Sequence, residues 1–94
     1  MTDAGLADIA HMKKLESLAL NTCPVTDAGV AYLEDMNSLQ GLSLYACPQV
    51  TDGAVAHLKN MKNLKSLDLR GTQVSKAGLE ELKAALPNCK VEGD

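Results

Sequence analysis

Three stretches of the chain share one arrangement of leucines and polar residues. Leucine stands at the first, fourth and sixth places and a small residue at the ninth: LESLALNTC at 15–23, LQGLSLYAC at 39–47 and LKSLDLRGT at 64–72. The fourth and sixth leucines alternate with other residues, which is the pattern of a short strand buried on one face. Leucine is not β-branched, so packing between the stretches must fix this conformation. The pattern predicts three short strands.

A second pattern, with the period of a helix, stands before each strand and once more after the last. Its apolar residues recur three or four places apart and form one stripe per helix. A threonine or serine that can cap the helix opens each copy, and in three of them an aspartate follows, where the helix dipole favours negative charge. The stripes are Leu6, Ile9 and Met12; Val30, Leu33 and Met36; Val55, Leu58 and Met61; and Leu79, Leu82 and Leu86.

The helix pattern recurs at steps of 24, 25 and 24 residues, and the leucine pattern keeps the first two of these steps. A single helix and strand cannot bury this stripe alone, so the units must stack side by side. This predicts an α/β fold with a short parallel sheet on one face, helices on the other and leucines between. The predicted organisation is one domain, residues 1–94, with repeats at 2–25, 26–50 and 51–74 and a capping repeat at 75–94 without a strand.

The leucine pattern, with Cys23, Cys47 and Thr72 at its ninth place, resembles leucine-rich repeats. The step length and the Thr-Asp-Ala-Gly helix start are similar to the cysteine-containing subtype and its bacterial relatives. The resemblance implies a right-handed solenoid with a concave sheet face and a convex helical face. It also implies a non-catalytic scaffold that binds a partner protein on the concave face.

The residues between the leucines are predicted to lie on this concave face. Tyr45 and Arg70 fall on adjacent strands, whose backbones lie about 5 Å apart. Both residue types are enriched in interface hot spots. The alternative is a solvated face on which Tyr45 stacks under Arg70. The predicted partner-binding residues are Asn21, Ser43, Tyr45, Lys65, Asp68 and Arg70.

The strand at residues 15–20 is predicted to be an open sheet edge, because only a helix precedes it. Proteins usually protect such edges. Either the chain is the C-terminal piece of a longer array, or another subunit covers this end. A two-fold homodimer would pair the two edge strands antiparallel. The predicted self-association residues are Leu6, Ile9, Met12, Leu15, Leu18 and Leu20.

Composition narrows the function classes. The net charge is −3 and the basic residues are dispersed, so we expect neither nucleic acid nor an anionic membrane surface as partner. Three cysteines without a CxxC spacing favour no metal site and a reducing, cytoplasmic setting. His11 and His57 are expected to face solvent without an acidic residue to orient them.

No nucleophile elbow, P-loop or HExxH motif occurs, so the sequence predicts no enzyme, no catalytic residue and no cofactor. The function it favours is a protein-binding module that uses the concave face. One alternative is a self-associating assembly module that uses the open edge, and another is a trimmed or engineered repeat scaffold without a ligand of its own.

Overall fold

The computed structural model describes residues 2–93, which form a repeating series of helices and strands. The helices are α1 (Asp3–Ile9), α2 (Asp27–Leu33), α3 (Val55–Leu58, after a 3₁₀ turn at Asp52–Ala54) and α4 (Lys76–Ala85). The strands are β1 (Ser17–Ala19), β2 (Gly41–Ser43), β3 (Ser66–Asp68) and β4 (Lys90–Glu92). Each helix is followed by one strand, as the alternation of the two patterns predicts for the first three units.

The strands form one parallel sheet in chain order, β1-β2-β3-β4. The fourth-place leucines lie in register, with Leu18 beside Leu42 and Leu42 beside Leu67. These leucines and the sixth-place ones face the helical stripes, and all but Leu18 are buried in one aliphatic core. The α/β repeat solenoid that the sequence predicts is therefore confirmed.

The sequence predicts three strands and a cap without a strand, and this was wrong for the cap, which contains a strand. β4 adds a fourth parallel strand, in which Val91 lies beside Leu67 and is buried. Its backbone extends the same ladder, since Lys90 N–H donates to Lys65 O and Leu69 N–H donates to Glu92 O. One apolar residue is enough here because the existing sheet supplies the template, although the leucine pattern is lost.

The aspartate at each helix start links its unit to the next one, beyond any interaction with its own helix. The two oxygens of Asp3 accept hydrogen bonds from the Thr26 N–H at 2.9 Å and the Thr26 hydroxyl at 2.6 Å. The same pair of bonds joins Asp27 to Thr51 and Asp52 to Ser75. We call these three pairs the aspartate ladder. Lys76 stands at the corresponding place in α4 and ends it.

Glycines at the helix starts make room for this ladder. A Cβ added to Gly29 would lie 2.1 Å from the Asp3 Oδ1 atom, and one added to Gly78 would lie 2.8 Å from Asp52 Oδ1. Real Cβ atoms do not approach other atoms so closely, so a larger residue would displace the carboxylate. The glycine of the Thr-Asp-Ala-Gly motif is therefore part of the contact between units.

Asp27→Ala is expected to lower the free energy of unfolding by about 1–3 kcal/mol, because it leaves the part-buried Thr51 N–H and hydroxyl without their acceptor. Urea unfolding followed by circular dichroism measures this change. Asp35→Ala is the matched control: Asp35 is exposed, and its change should stay within about 0.5 kcal/mol. Equal effects of the two substitutions would show that the ladder does not stabilise the fold.

The ninth-place residues pack into the turns after the strands. The buried Cys47 Sγ donates to Leu20 O at 2.7 Å, and the Thr72 hydroxyl donates to Leu69 O at 2.7 Å. Burial raises the pKa of the Cys47 thiol, so the neutral donor form is favoured there. Both side chains therefore donate to a leucine carbonyl, Cys47 across to the preceding unit and Thr72 within its own unit.

Candidate functional site

The side chains of β1–β4 that point away from the helices form the face that the sequence predicts to be concave, and we call this surface the concave face. It holds a shallow depression of about 280 Å³ that crosses all four strands. Its floor is made of small residues on β1 and β2: Ser17, Ala19, Gly41 and Ser43. Charged residues of the β3–β4 half line the opposite side of the depression. The face therefore has one small, uncharged half and one charged half.

Four residues on the charged side make one connected cluster. The Arg70 guanidinium donates to both oxygens of Asp68, from Nε to Oδ1 at 3.0 Å and from Nη2 to Oδ2 at 2.8 Å. Arg70 Nε also lies 3.7 Å from Glu92 Oε2. The guanidinium carbon lies 5.3 Å from the centre of the Tyr45 ring, within the range of a cation–π contact. We call Tyr45, Asp68, Arg70 and Glu92 the Tyr-Arg cluster.

Electrostatics hold this cluster in its charged form. The hydrogen bonds and charge of Arg70 lower the pKa of the Asp68 carboxyl below its usual value. In turn, Asp68 raises the pKa of the Arg70 guanidinium above its usual range. The backbone N–H of Arg70 also donates to Asp68 Oδ1 at 3.0 Å. Arg70 is therefore fixed in orientation while its side chain stays half exposed to solvent.

The remaining predicted partner-binding residues lie outside the cluster. The Ser43 hydroxyl donates to Asn21 Oδ1 at 2.6 Å, so these two side chains join β1 to β2. Lys65 is exposed and stands just before β3, away from the depression. The structure thus brings Tyr45, Asp68 and Arg70 together and leaves Lys65 apart from them.

Two residues of this surface were missed by sequence reasoning. Glu92 and Lys90 line the depression, and Lys90 Nζ lies 3.4 Å from Glu92 Oε1. They were missed because the tail was predicted to lack a strand. The signal that would have found them is the step of 24 residues from Asp68 to Glu92, which places both carboxylates on neighbouring strands.

The predicted self-association residues divide into two groups. Leu6 and Leu20 are buried by the chain itself, so the prediction that they form an exposed edge was wrong. The physical reason is that the α1 stripe and the sixth-place leucine already pack against the second unit. The others stay accessible: Ile9, Leu15 and Leu18 are half-buried and Met12 is exposed.

The prediction that no acidic residue orients His57 was wrong. His57 Nδ1 lies 3.0 Å from Glu34 Oε1, and Asn60 Nδ2 donates to Glu34 Oε2 at 2.7 Å. These bonds lower the pKa of Glu34, with Asn60 the larger cause. An acidic residue therefore does orient His57, on the helical side of the molecule. Among residues 2–93, no group of three or more His, Cys, Asp or Glu side chains is placed to hold a metal ion.

Comparison with known proteins identifies the family. The family described as Leucine Rich repeat matches residues 11–33 and 60–83, which together make half of the chain. Each match runs from the turn before a strand into the helix that follows it, so it covers the unit seen in the fold. The chain belongs to the leucine-rich repeat family.

Leucine-rich repeats generally mediate protein–protein interaction and are in general not enzymes. The resemblance to the cysteine-containing subtype stays a prediction. A search of the curated proteins finds no match for this chain. Within the part of the chain that the structure describes, no helix has the length and apolar character to cross a membrane.

Proposed function

We propose that the protein is a non-catalytic interaction module that binds a partner protein on its concave face, with the Tyr-Arg cluster at the centre of the contact. The observation that carries this proposal is the bidentate Arg70–Asp68 pair, whose guanidinium lies over the exposed Tyr45 ring. An arginine and a tyrosine held together on an open sheet face match the residue types that dominate protein interfaces.

The geometry favours binding because the Arg70 side chain is already ordered before a partner binds. Arg70 is already fixed by Asp68 and flanked by Glu92, so a partner would lose less side-chain entropy on contact than with a free arginine. The Tyr45 ring, 44% exposed, offers apolar area beside the charge. The small floor at Gly41 leaves space into which a side chain of the partner can insert.

The proposal also covers the domain organisation and the cellular setting. We take residues 1–94 as one domain with a scaffold role, and we propose the cytoplasm as its setting because the buried Cys47 is a free thiol. Homodimerisation through Ile9, Met12, Leu15 and Leu18 is the competing assembly function. No observation favours it over the concave face.

The test is the double substitution Tyr45→Ala with Arg70→Ala. Immobilised wild-type protein is used to capture partners from a cell extract, and each captured protein is then titrated against purified variants. Truncation of two hot-spot residues should weaken binding by at least about thirtyfold. Thermal unfolding and far-UV circular dichroism must show that the variant keeps the wild-type fold.

The matched control is Tyr32→Ala with Lys83→Ala. Tyr32 is 48% exposed on α2 and Lys83 is exposed on α4, so the same residue classes are removed from the helical side. Partners that bind through the concave face should keep their affinity for this control. If the control loses binding and Tyr45→Ala with Arg70→Ala does not, the concave site is wrong.

A further inference from the structure

On the helical side of the molecule, a polar pair bridges consecutive helices at one repeat position. Between α2 and α3, Glu34 Oε1 lies 3.0 Å from His57 Nδ1. Between α3 and α4, Lys59 Nζ donates to Glu81 Oε2 at 3.2 Å. These two pairs are one repeat step apart along the chain. Each therefore covers the space between a helix and the next one in the same way.

The space between α1 and α2 lacks this bridge. The equivalent residues there are Ala10 and Tyr32, and the methyl group of an alanine can form no such bond. A groove of about 390 Å³ opens at this place, larger than the depression on the concave face. We call it the α1–α2 groove; it is lined by Ala10, His11, Lys13, Tyr32 and Asp35 among others. Because α1 packs against α2 as the later helices pack against each other, the groove follows from the small side chain of Ala10.

Tyr32 and Asp35 bring an aromatic ring and a carboxylate to this groove. They stand three residues apart, Tyr32 in α2 and Asp35 in the turn after it, and Tyr32 is 48% exposed. Within residues 2–93, neither the Tyr32 hydroxyl nor the Asp35 carboxylate bonds to another side chain. An exposed ring attracts a cation to its face, and a carboxylate pairs with one. Both groups therefore favour a cationic occupant.

The concave face shows the same two groups with a cation in place. Tyr45 and Asp68 hold Arg70 there: its guanidinium carbon lies 5.3 Å from the centre of the ring, and its nitrogens donate to both carboxylate oxygens. A planar guanidinium can stack on a ring and pair with a carboxylate in two parallel bonds, which an ammonium group cannot do. Among cations, an arginine fits a ring beside a carboxylate best.

Two residues on the α1 side of the groove, His11 and Lys13, bear on the sign of the occupant. An acidic occupant would pair with Lys13, but it would meet the negative face of the Tyr32 ring and the charge of Asp35. A cationic occupant would have like charge only at Lys13, whose long, exposed side chain can turn its ammonium group toward solvent. Charge complementarity therefore favours the cation.

We propose that the α1–α2 groove is a second protein-binding site, separate from the concave face, and that its occupant is an arginine side chain of a partner protein. The guanidinium would lie on the Tyr32 ring and pair with the Asp35 carboxylate, while its apolar stem would cover Ala10. A second copy of this chain does not supply this group. Its one arginine, Arg70, is already held by Asp68.

The test is a selection of short random peptides displayed on phage against immobilised wild-type protein. It is carried out at about pH 8, where histidine is normally neutral. Soluble Ala10→Gln protein is present in excess as a competitor. Glutamine has the length of Glu34, the equivalent residue one unit later, without its charge, so it fills the groove and leaves the concave face unchanged. Peptides that survive this competitor should share an arginine.

Two further competitors make the selection specific. Ala56→Gln places the same side chain on the exposed surface of α3, outside the groove, so it should remove every peptide that Ala10→Gln spares. Tyr32→Ala removes the ring without filling the groove, so it should spare the same peptides as Ala10→Gln. Thermal unfolding of each competitor must match that of the wild type.

Each surviving peptide is then titrated against purified proteins. Citrulline in place of its arginine keeps the shape and removes the charge, and should weaken binding at least about threefold, since an exposed cation–π contact and an exposed ion pair are each modest. Asp35→Asn should weaken binding by a similar factor. Asp8→Asn is the matched control, because Asp8 is exposed on α1 away from the groove, and it should leave the affinity unchanged.

Three results would overturn the proposal. One is that folded Ala10→Gln and Tyr32→Ala proteins remove every peptide. Another is that the survivors are rich in aspartate or glutamate and bind Asp35→Asn more tightly than the wild type, which would assign the groove to an acidic segment. The third is that citrulline binds as well as arginine. The Tyr-Arg cluster is intact in all of these proteins, so the outcome does not depend on binding at the concave face.

Discussion

Leu42→Ala is expected to lower the free energy of unfolding by about 2–5 kcal/mol, because it leaves a cavity at the centre of the core. Leu42 lies in the middle of β2 between Leu18 and Leu67, and it is 3% exposed. Domains of this size are stable by only about 5–15 kcal/mol, so a single cavity removes a large part of the total. Urea unfolding followed at 222 nm gives the shift in midpoint.

Leu18→Ala is the matched control for this prediction. It changes the same residue type at the same repeat position, but Leu18 is only half-buried on β1. Both transfer and cavity contributions shrink when the side chain already touches solvent, so we expect its cost to be about half that of Leu42→Ala or less. Equal costs would mean that Leu18 is covered in solution.

Much of the fold could be predicted because the same sequence pattern recurs in each unit. The leucine places at residues 15–23, 39–47 and 64–72 fix both the strand period and the spacing of the units, and each helix start carries a threonine or serine, a residue type that can cap a helix. The prediction for residues 75–94 was wrong because this segment does not repeat the leucine pattern. β4 has only Val91 in the pattern, and its strand depends on the ladder offered by β3, which is a tertiary effect.

The aspartate ladder shows where local reasoning is incomplete. Asp27 at a helix start is explained by the helix dipole alone, so nothing in its own segment points to Thr51. The bond becomes predictable only when Thr and Asp are read as a pair across one repeat step. The absence of a side chain at Gly29 is unexplained for the same reason until Asp3 of the unit before is placed beside it.

The candidate site was predicted in part. The register of the leucines places Tyr45 beside Arg70, and the two side chains are in contact, as the alternative of a solvated face also expects. The direction of the Arg70 side chain could not be predicted from its spacing, because Asp68 and Glu92 compete with Tyr45 for the guanidinium. Two carboxylates on neighbouring strands fix this choice, and one of them belongs to the strand that the sequence did not predict.

Gly71→Ala is expected to destabilise the fold by about 2–4 kcal/mol, from left-handed backbone strain together with overpacking. Gly71 has a φ of 79°, in the region that favours glycine. A Cβ there would lie 2.9 Å from the Cα of Ala46 and 3.0 Å from its backbone N. These are main-chain atoms in the stacked loop of the unit before, so they cannot move aside as a flexible side chain would.

Ala46→Gly is the matched opposite, because Ala46 occupies the same repeat position with a φ of 58°. Glycine adopts this conformation without strain but loses more entropy on folding, so the two effects nearly cancel and the change should lie within about 1 kcal/mol of zero. Both variants are compared by their urea midpoints. If Gly71→Ala is as mild as Ala46→Gly, the loops after the strands are not packed as closely as the distances between Gly71 and Ala46 indicate. If Gly71→Ala alone is costly, close stacking of successive turns stabilises this solenoid alongside its leucine core.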